Sequence, residues 1–366
     1  MRDLNPRARV PLLVLGVIAL VAGTVGGLVR LGLALPAPAA GIAWHGVLMA
    51  SVFFGTLIAL ERAVAIGRLW AYGAPAANGV GGVLLLAGAP QFAFVLLVLG
   101  ATVFVSASAS IWLRHRALHT GVLALGALAL LMANLALLGG SPLEAVAPSW
   151  IAFFALTIGG ERLELSRLAP VPRGARIAFA AVSLALLLAA ACAALAPQGA
   201  LRVLGLLLLA TALWLARYDI ATRTVRAKGL TRYIALCLLA GYVWLALGGA
   251  VLAATGGFAA GREFWDAALH AVLAGFVFSM VFGHAPVILP AVLRIALPYH
   301  AALYAPLALL HATLALRVAG DLAANAPLRA AGGTGNAAAI ALFILTAATL
   351  ALSAAARRRT AAARQP

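Results

Sequence analysis

Seven histidines, His45, His115, His119, His270, His284, His300 and His311, are the side chains of this 366-residue sequence best suited to chemistry. Neutral imidazole is the commonest metal ligand and the side chain most easily switched between charge states near neutral pH. Their setting is unusually apolar, since 65% of the chain is hydrophobic and 10% is charged. An ionisable group at the centre of a membrane helix costs at least about 2.5–3.5 kcal/mol on insertion scales, so each such group is a functional suspect. His115 and His119 sit beside Arg114 and Arg116 and read as a solvated interfacial segment.

If each long apolar run is a membrane-spanning helix, His45, His270 and His311 lie about four, six and eight residues below the outer ends of the second, tenth and eleventh spans, which is roughly 6, 9 and 12 Å deep. They share one layer of the outer half. Facing imidazoles in such a layer can clamp a haem iron or a copper ion, or each can hydrogen-bond a neighbouring helix separately. His284 follows His270 by fourteen residues, nearly four turns, which on an unbroken α-helix returns to the same face about 21 Å deeper. Pro286 and Pro290 come next and free backbone carbonyls. A second haem, a proton path and a kink capped by His284 all fit that pattern. Glu61 and Glu161 each precede an arginine, Arg62 and Arg162, as interfacial ion pairs or as proton uptake points. Asp266, one turn outward of His270, is placed either to hold the ring's other N–H or to remain a solvated interfacial carboxylate.

A hydrocarbon core about 30 Å thick needs about 20 apolar residues per helix. That ruler gives spans near 10–34, 42–60, 75–90, 92–113, 118–138, 143–160, 175–196, 199–216, 231–255, 264–293, 299–319 and 334–356. The expected fold is all-α, a polytopic transmembrane helical bundle of about twelve spans forming a single transmembrane domain, residues 1–366. The basic first residues and the apolar stretch after them read as an uncleaved first span, because the stretch is longer than a signal-peptide core of roughly 7–15 residues. Cys192 and Cys237 fall in different spans and read as reduced, small apolar side chains.

The formal charge of +17 comes from 26 Lys+Arg against 9 Asp+Glu. These cations lie between apolar runs rather than in a patch interleaved with aromatics, so they read as topology determinants and lipid-headgroup contacts, not a nucleic-acid surface. With the amino terminus inside, 21 of the 26 fall in inner segments, and the exceptions are Arg30, Arg202, Arg262, Arg317 and Arg329. The expectation is a multi-pass protein of a bacterial-type inner membrane with both termini cytoplasmic. Short loops leave no soluble domain for a hydrolase triad, and the chain has no phosphate-binding Gly-Lys-Ser/Thr run and no Cys-x-x-Cys. Phe53-Phe54 with Glu61-Arg62 is echoed by Phe153-Phe154 with Glu161-Arg162, four spans on. His284 and Arg294 stand at the inner end of the tenth span, four spans further, which points to three arcs of four helices.

Trp44-His45-Gly46-Val47-Leu48-Met49 resembles the His-Gly-x-x-Met stretch in the second helix of haem-copper oxidase subunit I. Leu269-His270-Ala271 through Gly275-Phe276, Met280 and Gly283-His284 is similar to the corresponding helix of the NnrS family, twelve-span relatives of those oxidases. The motif resemblance covers about fifty residues. What the resemblance implies is a haem-copper oxidase-like arrangement of three four-helix arcs. It also implies a b-type haem with His45 and His270 as axial ligands near the outer face, and possible work for His311 and His284 at copper or another metal. An electron-donor protein or partner subunit is implied as well, with a role in electron transfer or nitric oxide metabolism. The sequence departs from the oxidases in having no histidine or tyrosine in spans 6 and 7, where their copper ligands arise, which argues against a complete oxygen-reducing centre. The competing reading is a cofactor-free permease whose substrate site is a helix broken at His284–Pro290.

Overall fold

The structure is a computed structural model that describes residues 3–168 and 171–362, and among them there is no β-strand. Twelve helices are long and apolar enough to cross a membrane: α1 (Pro6–Arg30), α2 (His45–Ile66), α3 (Leu69–Leu86), α4 (Pro90–His115), α5 (Leu118–Leu138), α6 (Leu143–Leu165), α7 (Arg173–Cys192), α8 (Pro197–Tyr218), α9 (Gly229–Thr255), α10 (Arg262–Leu293), α11 (Ala301–Leu322) and α12 (Ala326–Arg358). Helices satisfy their backbone groups internally, which is what an apolar solvent demands. Pro6, Pro90 and Pro197 open α1, α4 and α8 at positions whose N–H would have no intrahelical partner.

Several ends differ from the hydropathy reading. Helix α2 runs on to Ile66 and stops at Gly67, left-handed at φ 65°, so Glu61 and Arg62 lie inside the helix rather than at its end. Helix α12 starts at Ala326 rather than near 334, because Asn325 caps it by accepting from the Leu328 N–H at 3.0 Å. A scale that scores Arg329 and the nearby glycines as polar cannot see that cap.

Consecutive helices pack as antiparallel neighbours through most of the chain, and α1 also meets α10 and α12, which closes the bundle. Small residues permit close crossings, as where Gly205 of α8 and Gly249 of α9 bring backbones together and a methyl group on Gly249 would stand 2.8 Å from the Gly205 carbonyl oxygen. Three helices are the most enclosed: 83% of the most apolar stretch of α6, 67% of α2 and 56% of α10 is buried, against 17% of α12. Their phenylalanines meet at the centre, with the Phe54 ring 4.9 Å from Phe154 and 5.3 Å from Phe278, and Phe53 stacked on Phe278 at 6.5 Å. Below this centre Arg9, expected to be a topology charge, is buried and structural. It donates to the Val292 carbonyl at 2.7 Å and pairs with Asp3 at 2.6 Å, tying the start of α1 to the end of α10. Cys192 is exposed, Cys237 is buried, and both are free.

Two helices contain a π-helical segment. Leu48–Phe54 in α2 and Ala271–Val277 in α10 are π-helical, each seven residues long. A π turn accommodates one extra residue, so the helix beyond it is rotated by about 100° relative to an unbroken α-helix. The first segment is held by buried polar contacts: Ser51 donates to Asn134 Oδ1 at 2.7 Å and accepts from Trp150 Nε1 at 2.9 Å.

Candidate functional site

His45 precedes Phe53 by eight residues, and His270 precedes Phe278 by eight. In an unbroken α-helix eight residues turn about 800°, leaving the two side chains about 80° apart; with one residue absorbed by the π turn the rotation is about 700°, within about 20° of one face. The same device in both helices therefore places each histidine about two turns outward of the stacked Phe53–Phe278 pair. His45 and His270 lie within electrostatic range of each other, and Arg30 and Arg317 reach the same region. Helices α2 and α10 pack through their inner halves, Gly55–Ile66 against Phe278–Leu293, whereas their histidine-bearing outer segments do not pack on each other in this way. Both imidazoles are correspondingly half-buried.

Each ring is oriented from behind. His45 Nδ1 lies 2.6 Å from the Gly23 carbonyl oxygen of α1, and His270 Nδ1 lies 2.9 Å from the carbonyl oxygen of Asp266. A carbonyl only accepts, so Nδ1 of each ring carries a proton, and in a neutral imidazole that tautomer leaves the Nε2 lone pair bare. Gly27 leaves room for the first ring, since a methyl group there would stand 2.8 Å from His45 Cε1. The Asp266 carboxylate stands 3.3 Å from His270 Nδ1 and takes Arg317 at 2.9 Å, so it steadies both ring and cation.

His311 is built the opposite way. Its Nδ1 accepts from Trp244 Nε1 at 2.9 Å, which occupies the lone pair and leaves Nε2, buried and without a partner, carrying the proton. His284 donates from Nδ1 to the Met280 carbonyl at 2.7 Å and neighbours Arg162 and Asp219. The π turn changes its phase from that expected of fourteen α-helical residues, so it does not return to the face of His270. Helix α10 continues unbroken through Pro286 and Pro290 to Leu293, so the broken helix expected of a permease site is not formed. The flanking helices pack around these prolines and hold the segment helical. Among the described residues no group of three or more His, Cys, Asp or Glu side chains is arranged to hold a metal ion.

A second polar layer occupies the inner half. Arg162 forks onto Asp219, Nε to Oδ2 at 2.6 Å and the terminal nitrogen to Oδ1 at 3.1 Å, with both side chains essentially inaccessible. Asp219 also accepts the Ala221 N–H at 2.6 Å. The interfacial pairs expected within Glu61-Arg62 and Glu161-Arg162 do not form among the described residues, because adjacent residues on a helix diverge by about 100°. Sequence reasoning missed Asp219, the sole acid in an arginine-rich segment, and Asp321, whose two carboxylate oxygens are buried without hydrogen bonds within electrostatic range of His270 and Arg317.

A family model described as a domain of unknown function (DUF8744) matches residues 9–352. The chain belongs to this family. No curated protein matches it, and no solved structure does. The matched region takes in both polar layers and all or most of every one of the twelve helices.

Proposed function

We propose that this DUF8744 member is a haem-binding integral membrane redox protein in which His45 and His270 are the axial ligands and whose activity is electron transfer. The observation that carries this reading is the pair of bare Nε2 lone pairs, each fixed by an Nδ1–H bond to a carbonyl and brought into line by matching π turns above Phe53–Phe278. Two neutral imidazoles hold an iron without adding protein charge to an apolar interior. The residues fit the group in other respects: phenylalanines lie beneath, the outer segments of α2 and α10 stand apart, and Arg30 and Arg317 supply cations for carboxylate substituents. When bound, the haem supplies a one-electron couple. The protein's own part is to fix both imidazoles, to balance charge through Asp266–Arg317, and to exclude water with the apolar surround.

Bis-histidine ligation leaves no open position at the iron, which favours electron transfer over turnover of nitric oxide at that iron. Copper is a weaker proposal, since the lone pair of His311 is engaged by Trp244. The oxidase-like arrangement of three four-helix arcs belongs to the same proposal, supported by the enclosure of α2, α6 and α10 and by their shared phenylalanine centre. So does a bacterial-type inner membrane with cytoplasmic termini, supported by the arginine distribution, and an electron-donor protein as partner. The test is haem titration of purified protein. His45→Ala and His270→Ala each abolish the low-spin spectrum, and His115→Ala leaves it unchanged; a wild-type protein that shows no Soret band with haem in excess overturns the reading.

A further inference from the structure

Six elements bring ionisable side chains together in the inner half, away from His45 and His270. Glu61 follows Phe54, the last residue of the π segment, by seven residues of regular α-helix, and Glu161 follows Phe154 by seven within regular α-helix. Seven residues turn about 700° and rise about 10.5 Å, so each glutamate lies within about 20° of the face of its phenylalanine, two turns inward. The Phe54 and Phe154 ring centroids are 4.9 Å apart, so the two glutamates lie on neighbouring helix faces below that contact. They interact electrostatically, and neither makes a hydrogen bond or an ion pair with a described residue.

The charged and titratable groups around them are Arg62 of α2, Arg162 and Glu164 of α6, His119 of α5, Asp219 after α8, Tyr242 of α9 and His284 of α10. Arg162 is committed to Asp219 by a two-point pair, which leaves Arg62 as the cation free to balance the glutamates, and its Nε is buried without a partner. Tyr242 is 3% exposed, and its hydroxyl is turned to the Arg162–Asp219 pair. Two carboxylates within electrostatic range of each other and balanced by one cation favour keeping one proton, because burial and then the repulsion of like charges both disfavour the doubly ionised state.

We propose that Glu61 and Glu161 form a carboxylate pair that shares one proton and acts as a proton-binding site at the inner end of the bundle. A proton from inner water adds to a carboxylate oxygen. On release it returns to that water. The site stands on its own geometry and does not depend on haem binding.

Infrared spectroscopy of the full chain in lipid nanodiscs tests it. The wild type at neutral pH should show the carbonyl stretch of one protonated carboxylic acid, shifted to lower frequency in deuterated water. Glu61→Gln and Glu161→Gln should each remove it, since a lone remaining carboxylate ionises beside Arg62, while Glu144→Gln at the exposed start of α6 should leave it in place. Absence of the band from the wild type, or its survival in either single variant, overturns the proposal. Acidifying the wild type guards against a variant that does not fold: a shared proton predicts that the band doubles as the second carboxylate protonates. A rise from zero in one step contradicts sharing.

Discussion

The outer and inner halves of the bundle both bury ionisable side chains, but they handle them in opposite ways. In the outer half the imidazoles of His45 and His270 are each tied through Nδ1 to a backbone carbonyl, which leaves Nε2 of each as the free ring nitrogen. In the inner half the dominant contact is a closed ion pair, Arg162 with Asp219, whose hydrogen bonds are made within the protein. An apolar solvent tolerates polar groups that are either neutral or matched. The ring nitrogens left open to a ligand are in the outer half, and the matched Arg162–Asp219 pair of the inner half is a structural brace.

Breaking the brace should have the largest effect. Asp219→Ala leaves Arg162 buried and unmatched, a change that costs about 3–5 kcal/mol when one partner of a buried pair is removed. The measurement is the melting temperature in detergent, where Asp219→Ala falls well below Glu144→Gln. An unchanged melting temperature would mean that the inner pair is not the brace. Next in size is deletion of one residue from the π segment of α10, for example Ala274. Restoring a regular α-helix turns His270 by about 100° relative to Phe278. Haem titration should then show loss of the low-spin spectrum although both histidines remain.

Much of the bundle is legible in the residues alone. Twelve apolar runs, the alternation of arginines and the echo of Phe-Phe and Glu-Arg in α2 and α6 point to the architecture and to the helices at its centre. The π turns are not legible, because an extra residue in a uniformly apolar stretch leaves no periodic trace. Without them His45 does not line up with Phe53, and His284 would share the face of His270. Asp219 escapes because its partner lies 57 residues away, and nothing in a loop crowded with arginines says which of them is matched. The tautomer of His311 depends on Trp244, a long-range contact that spacing cannot reveal.

Smaller changes sharpen the contrast. Gly27→Val fills the space beside the His45 ring and should weaken haem binding severalfold, read as the haem concentration at half-saturation, with Gly199→Ala as a neutral control because nothing lies near that position. The smallest effect belongs to Trp244→Phe, which removes one hydrogen bond to His311 and should cost about 1 kcal/mol of stability. The haem spectrum should not change, since His311 is not an axial ligand in the proposed site; a lost low-spin signal would place it there.

Haem ligation by the outer pair is decided by the optical spectrum of purified wild type and of His45→Ala and His270→Ala, each supplied with haem and recorded oxidised and reduced. Bis-histidine ligation predicts a six-coordinate low-spin haem in the wild type and its loss in both variants. A wild-type protein without haem, or a low-spin spectrum that persists in either variant, would contradict it.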